Sequence, residues 1–281
     1  MKTFQKCSIN NFTYLGDGHY TITDGSINHD LYIKKSPSGS KQLIILGQGA
    51  VDKTKIQPDF QRVSWAKDIE HNIIICSDPT INDTNLNIGW FQHSIKTNYF
   101  YWFSLLVKST AVKLDADVIN PVLFGSSAGG FTTLMLSTYF KNPWLVINNP
   151  QTNWTNFHKE KVQDVLNTIY DGISLDDYRE KYKERHDPIY LFLKKNYIPN
   201  IIYMQNIADR FHYENHYKPF VSKITSDIFS STKRSNKLIS ILYDEPSEGH
   251  NPATKELTLT YIEHAVQGIK NYMDIKFVAN K

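Results

Sequence analysis

The chain of 281 residues is 41% hydrophobic with a formal net charge of +3, enough apolar material for one large domain or two small ones. So slight a basic balance gives no ground for a nucleic-acid partner, and Cys7 and Cys76 alone provide neither a disulfide framework nor a zinc site. No run approaches the ~18 apolar residues of a membrane span, and the first twenty residues lack a signal-peptide core, so a cytoplasmic protein without membrane insertion is expected.

Short β-like pieces come first, at 12–15, 19–23 and 31–35. The turn signals Gly16-Asp17-Gly18 and Asp24-Gly25-Ser26 separate them. Gln42 to Leu46 is a compact apolar run that ends in Gly47-Gln48-Gly49-Ala50. A second, Asn72 to Cys76, ends at Ser77-Asp78-Pro79. Such runs suit parallel strands buried on both faces. Residues 98–114 read as a helix with Tyr99, Trp102, Phe103, Leu106 and Val107 on one stripe.

Val122-Leu123-Phe124 then leads into Gly125-Ser126-Ser127-Ala128-Gly129-Gly130, and a helix-compatible run covers 131–140. Strand, G-x-S-x-G and helix together make a nucleophile elbow. The turn needs small residues two places either side of the nucleophile. Centring on Ser127 puts Gly125 and Gly129 there, whereas centring on Ser126 would put Phe124 there. Ser127 is therefore the candidate nucleophile. Trp144 to Asn148 is the next strand, ending at Asn149-Pro150-Gln151.

The segment 152–196 breaks the rhythm. It is charged and aromatic and reads as two or three short helices, with 176–185 as one solvated helix. It is expected to be a lid inserted within a single domain spanning 1–281, closing over Ser127, with Trp154, Phe157, Tyr170 and Tyr178 packing it or facing a sugar. Strand 200–205 follows, then Asp209, a helix over roughly 213–229 and a last strand at 237–243. The loop to His250 enters a final helix, capped by Asn251 with Pro252 at its first position. Tyr261, Ile262, Ala265, Val266, Ile269 and Met273 form its buried stripe. Strand alternating with helix argues for a mostly parallel sheet with an antiparallel start.

A serine needs a base within reach and a third group to orient that base. Asp209 and His250 both fall at carboxyl ends of strands, where open α/β sheets place their sites. The chain order Ser127, Asp209, His250 is that of the nucleophile-elbow enzymes. Asp78, Asp83 and Glu248 are rival acids, His212 and His216 rival bases, and His212 reads as site-lining or helix-surface. The oxyanion donors are expected to be the backbone N–H of Ala128 and one from the Gly47–Ala50 loop, with Gln48 chosen and Gly49 open. Asn149 and Gln151 are placed on the acceptor, or else form a strand-end turn around Pro150. No metal site and no bound cofactor are expected.

Gly-Ser-Ser-x-Gly-Gly at 125–130 resembles the elbow of the α/β-hydrolase-type serine O-acetyltransferases of bacterial capsular polysaccharide biosynthesis. Asn148-Asn149-Pro150-Gln151 is similar to their strand-end Asn-x-Pro-Gln, Asp209-Arg210-Phe211-His212 to their Asp-x-x-His, and Gly249-His250 to the segment bearing their base. Pro58-Asp59-Phe60-Gln61-Arg62 and Gly89-Trp90-Phe91 match only loosely. The resemblance implies an α/β-hydrolase fold: a mostly parallel central sheet flanked by helices, with a helical lid after the sixth strand. It also implies acetyl transfer from acetyl-CoA, as co-substrate, to a glycan hydroxyl. An esterase with the same triad and a non-catalytic assembly subunit are the alternatives.

Overall fold

The structure is a computed structural model that describes residues 1–24, 27–226, 238–268 and 276–278. One sheet holds β1 (Cys7–Ser8), β2 (Gly18–Asp24), β3 (Ile27–Lys34), β4 (Leu43–Leu46) and β5 (Asn72–Cys76). It continues through β6 (Val122–Ser126), β7 (Trp144–Asn148), β8 (Asn200–Asn206), β9 (Leu238–Tyr243) and β10 (Lys276–Val278). The spatial order is β1-β2-β3-β5-β4-β6-β7-β8-β9-β10. Only β2–β3 and β3–β5 pair antiparallel; the other neighbours are parallel.

Every residue of β4, β5 and β6 is buried, because both faces are covered. Leu43, Ile45, Ile74 and Leu123 face Phe103 and Val107 of α2 and Phe131 and Met135 of α3, where α1 is Pro79–Asn82, α2 Tyr99–Lys113 and α3 Ala128–Ser137. Their neighbours Ile44, Ile73, Ile75, Val122 and Phe124 point to the other side, onto Ile262 and Ala265 of the helix Lys255–Gln267. This is the two-residue alternation of a strand serving two cores. The chain leaves β4 toward β5 on one side and returns through β6 on the other. The ends of β4 and β6 therefore flank a topological switch point, the usual place for a site.

Several sequence expectations shift. Residues 12–15 form no strand: Leu15 N donates to Tyr20 Oη at 2.9 Å and that hydroxyl donates to Gly16 O at 2.7 Å, fixing a turn. Cys7–Ser8 pairs with β2 instead. The insertion follows the seventh strand in chain order, not the sixth. Trp102 is 44% exposed while the rest of its expected stripe is buried. The elbow helix begins at Ala128, immediately after Ser127.

The insertion holds α4 (Lys159–Ile169), α5 (Leu175–Lys181), α6 (Lys183–His186) and α7 (Pro188–Lys195). The single helix expected at 176–185 breaks at Tyr182, which leaves helical geometry at φ −119°, ψ 39°. Trp154, Tyr170, Tyr178 and Leu191 belong to the main core. The Tyr170 and Tyr178 hydroxyls both donate to Gln92 Oε1, at 2.6 and 2.9 Å, and Arg185 donates to the Ser94 and Ile95 carbonyls. These aromatics pack the protein.

The final helix starts at Lys255 with Thr254 as its cap, not at Asn251. Ala253 N donates to Asn148 Oδ1 at 2.6 Å, pinning this stretch to the end of β7 and delaying the helix. Gly25, Ser26, 227–229, Lys237, Ile269 and Met273 lie outside the described residues. No helix among the described residues is long and apolar enough to cross a membrane.

Candidate active site

Ser127 sits between β6 and α3 with φ 54° and ψ −124°, a strained backbone for a residue with a side chain and one typical of functional positions. The strain is over-determined by close packing. A Cβ on Gly125 would fall 2.1 Å from Gly129 O, so nothing larger than glycine fits inside the turn. Three N–H groups, from Gly130, Phe131 and Gln151, converge on Ser127 O.

The Ser127 hydroxyl reaches His250 Nε2 at 2.9 Å, and His250 Nδ1 reaches Asp209 Oδ2 at 2.6 Å. A neutral imidazole so placed carries its proton on Nδ1 and offers Nε2 to the serine. Asp209 also takes the His212 ring through Nδ1, 2.9 Å from Oδ2, and the His212 backbone N–H. Burial raises the Asp209 carboxyl, but hydrogen bonds and positive potential from His212 and His250 outweigh it and hold the group well below the usual carboxylate range. The His212 and His250 rings stack at 3.9 Å. Burial pushes His212 down, partly offset by its bond to Asp209. Asp209, His212 and His250 bring ligand-type atoms within 4.8 Å of one another, the one such cluster among the described residues; their contacts here are carboxylate–imidazole hydrogen bonds.

The rival groups sit elsewhere. Asp78 caps α1 through Thr80 N and accepts from Phe91 N, and burial pushes it up to about 6. Glu248 binds Asn251 on the exposed side. His216 is buried, accepting from Thr152 N.

Gln151 and Asn149 were expected on an acceptor; both are wholly buried. Gln151 instead donates Nε2 to Ser127 Oγ at 2.9 Å and to His212 Nε2 at 3.3 Å, while its Oε1 accepts from Trp90 Nε1 at 2.7 Å. The indole can only donate, so it fixes which end of the amide faces the serine. Asn149 shares its Nδ2 among Tyr243 Oη, His250 O and Asn251 O, and its Oδ1 accepts from Asn206 N. Its side-chain amide is thereby engaged with the His250 loop and with Asn206. His212 is likewise buried beneath the site, not on a helix surface.

At the β4 end, the backbones of Gly47 and Gly129 meet: a Cβ on Gly129 would lie 2.7 Å from Gly47 O. Gly47 N donates to Phe124 O and Gly49 N to Gln61 Oε1, so both glycine donors are used. The backbone N–H groups of Gln48 and of Ala128, first in its helix, have no partner among the described residues. The buried Gln48 side chain ties the loop down, donating to Asp59 O and accepting from Asp78 N, both at 2.6 Å. A groove of about 480 Å³ opens over Ser127, lined in part by Gly49, Arg62, Trp65, His250 and Pro252, with no residue of 152–196. The insertion reaches the site from beneath, where Phe157 packs 5.8 Å from His212.

Solved structures with the same architecture include the capsule O-acetyltransferase of Neisseria meningitidis serogroup A. It is 16% identical at a TM-score of 0.58, with 89% of this chain and 96% of that one covered. A mutant of that enzyme in complex with CoA superposes at 0.60 with 14% identity, covering 93% and 99%. An S-formylglutathione hydrolase from Agrobacterium tumefaciens gives 0.60 and 15%, covering 91% and 95%. The chain has the α/β-hydrolase fold. No protein-family model and no curated protein matches the sequence. Within the α/β-hydrolase fold, Ser127 occupies the elbow and Asp209 and His250 the loops after β8 and β9, in the chain order of that fold. Gln151 as a contact of the serine and Trp90 as a contact of Gln151 escaped the sequence reading; their only signal was Asn-Pro-Gln at the end of β7 and Gly-Trp-Phe in the loop between α1 and α2.

Proposed function

We propose that the protein is a serine acyl-transfer enzyme that moves an acetyl group from acetyl-CoA to a glycan hydroxyl. The observation that carries the chemistry is the continuous relay Ser127 Oγ, His250 Nε2, His250 Nδ1, Asp209 Oδ2, with bonds of 2.9 and 2.6 Å. Ser127 Oγ attacks the acyl carbon as its proton passes to His250, and Asp209 stabilises the imidazolium. The oxyanion meets the N–H groups of Ala128 and Gln48. His250 then protonates the leaving thiolate, and the acceptor hydroxyl, deprotonated by His250, attacks the acyl-serine. Gln151 holds Ser127 Oγ from a second direction. The likeness to a capsule O-acetyltransferase that has been seen with CoA supports the donor and acceptor classes.

Ester hydrolysis is the second reading, and one feature favours it: the His250 side chain is 41% exposed, so water has access. An assembly subunit without activity would have no use for an intact relay.

Intact-protein mass spectrometry after mixing with acetyl-CoA tests the reading. One acetyl group on Ser127, passed to a glycan when one is added, is the expected result. Acetyl-serine that only water clears establishes the esterase, and absence of acylation by any ester or thioester overturns both.

A further inference from the structure

Arg62 is the single Lys or Arg among the residues that line the groove over Ser127. Its backbone is left-handed, φ 67° and ψ 14°, uncommon for a residue with a side chain. The conformation is held by Trp65 N, which donates to Arg62 O at 2.8 Å. The guanidinium packs 5.4 Å from the centre of the Trp65 ring and 5.1 Å from that of Phe124. Nη2 donates to Ser126 Oγ at 2.5 Å, one residue from the nucleophile. None of the ion pairs among the described residues uses Arg62. Burial lowers its pKa to about 10, which leaves it a cation at neutral pH. Arg62 is half-buried, and a cation partly withdrawn from water with no anion partner among the described residues is costly to maintain. Its other N–H donors have no partner among the described residues, and such forks match the paired oxygens of phosphate and carboxylate.

We infer that Arg62 is the receptor for an oxyanion carried by the substrate, a phosphate or carboxylate group seated in the groove beside Ser127. The inference rests on the acyl-transfer reading and adds a charge requirement to it. The anion has two possible sources, the phosphates of the acyl donor or an acidic group on the glycan. Either would occupy the guanidinium edge while the acyl carbon lies over Ser127. The pairing is made with substrate bound, so it selects substrates by charge.

Arg62→Gln and Arg62→Lys are compared with wild type in two arms. The donor arm sets acetyl-CoA against S-acetyl-N-acetylcysteamine, a thioester without phosphates. The acceptor arm uses that neutral thioester with phosphorylated or uronate oligosaccharides and their neutral counterparts. Arg62→Gln is expected to lower kcat/KM for the anionic member at least ~10-fold more than for the neutral member in one arm, the scale of one charge-assisted hydrogen bond. The arm that responds identifies the source, and Arg62→Lys is expected to recover part of the loss. Equal losses in both arms overturn the inference. Should neither variant fold, wild type decides: inorganic pyrophosphate must compete with the anionic substrate, and absence of competition is fatal. Should Ser127 not acylate, the reaction class has failed, and calorimetric titration of wild type with pyrophosphate judges the anion site separately: binding supports it and none overturns it.

Discussion

Gln151 Nε2 lies 2.9 Å from Ser127 Oγ, the same distance as His250 Nε2, so the nucleophilic oxygen accepts from one residue and donates to the other. Trp90 and His212 fix the amide, one at each end. Gln151→Leu should lower kcat by about 10- to 100-fold, up to the lower end of the ~10²–10³ found for loss of one oxyanion-hole donor, with KM little changed. Trp90→Phe leaves the amide free to turn and should cost less than about 10-fold. A rise in KM for the acceptor with kcat intact would return Gln151 to substrate binding.

Ser127→Ala should abolish fluorophosphonate labelling, leaving only the ~10³–10⁴-fold residual catalysis over water that survives loss of a triad member. Ser126→Ala removes the acceptor for Arg62 Nη2 but not the nucleophile, and should still label. Labelling that survives in Ser127→Ala and vanishes in Ser126→Ala would exchange the two serines.

Asp209→Asn should fold yet lose about 10⁴ in kcat, the loss known for this change in a Ser-His-Asp triad. Here the amide would also face the His212 ring, which now donates Nδ1–H to the carboxylate. Glu248→Gln, on the exposed side of the loop, should be nearly silent. The reverse pattern of kcat losses in the two variants would make Glu248 the acid.

The elbow was legible because its steric demand falls on two residues of fixed spacing, Gly125 and Gly129. Asp209 and His250 were legible because each follows a strand closely, and strand ends converge in a parallel sheet. Gln151, Trp90 and Arg62 were not, since each acts through a loop contact that spans 24 to 64 positions and leaves no local pattern. The insertion misled for a related reason. Its charges suggested a solvated cover, while Tyr170 and Tyr178 bury their hydroxyls on Gln92. Asn251 and Pro252 look like a helix start, yet the bonds from Asn148 and Asn149 to this stretch override that local preference.

Asn149→Ala tests that override. It leaves the buried Asn206 N–H short of a partner, at ~1–3 kcal/mol for a buried group left unsatisfied, and it frees the part-buried carbonyls of His250 and Asn251. It also places alanine at φ 43°. Urea unfolding should show a clear loss of stability, and kcat should fall because His250 is no longer held. Unchanged stability with a raised KM for acceptor would show that Asn149 meets substrate after all.

His216 supplies a pH signature independent of catalysis. Its ring is wholly buried, Nδ1 accepts from Thr152 N at 3.2 Å, and Nε2 has no partner among the described residues. Burial pushes its pKa down to about 3. An unfolded histidine titrates near ~6.5, so between about 6.5 and 3 the unfolded chain binds a proton that the native chain refuses. Stability therefore rises with pH across this window and is lost on acidification, at a limiting slope of roughly 1.4 kcal/mol per pH unit for one such group. His212, also depressed, adds in the same direction below the ordinary histidine range. Asp209, held low, contributes stability above the ordinary carboxylate range that is lost as pH falls toward its native value. His216→Asn can keep an acceptor for Thr152 but cannot titrate. Its unfolding free energy, measured by urea denaturation at stepped pH, should vary less steeply than that of wild type between about 6.5 and 4. Parallel curves for the two proteins would mean that His216 is protonated in the native state, and that its place in the core had been misjudged.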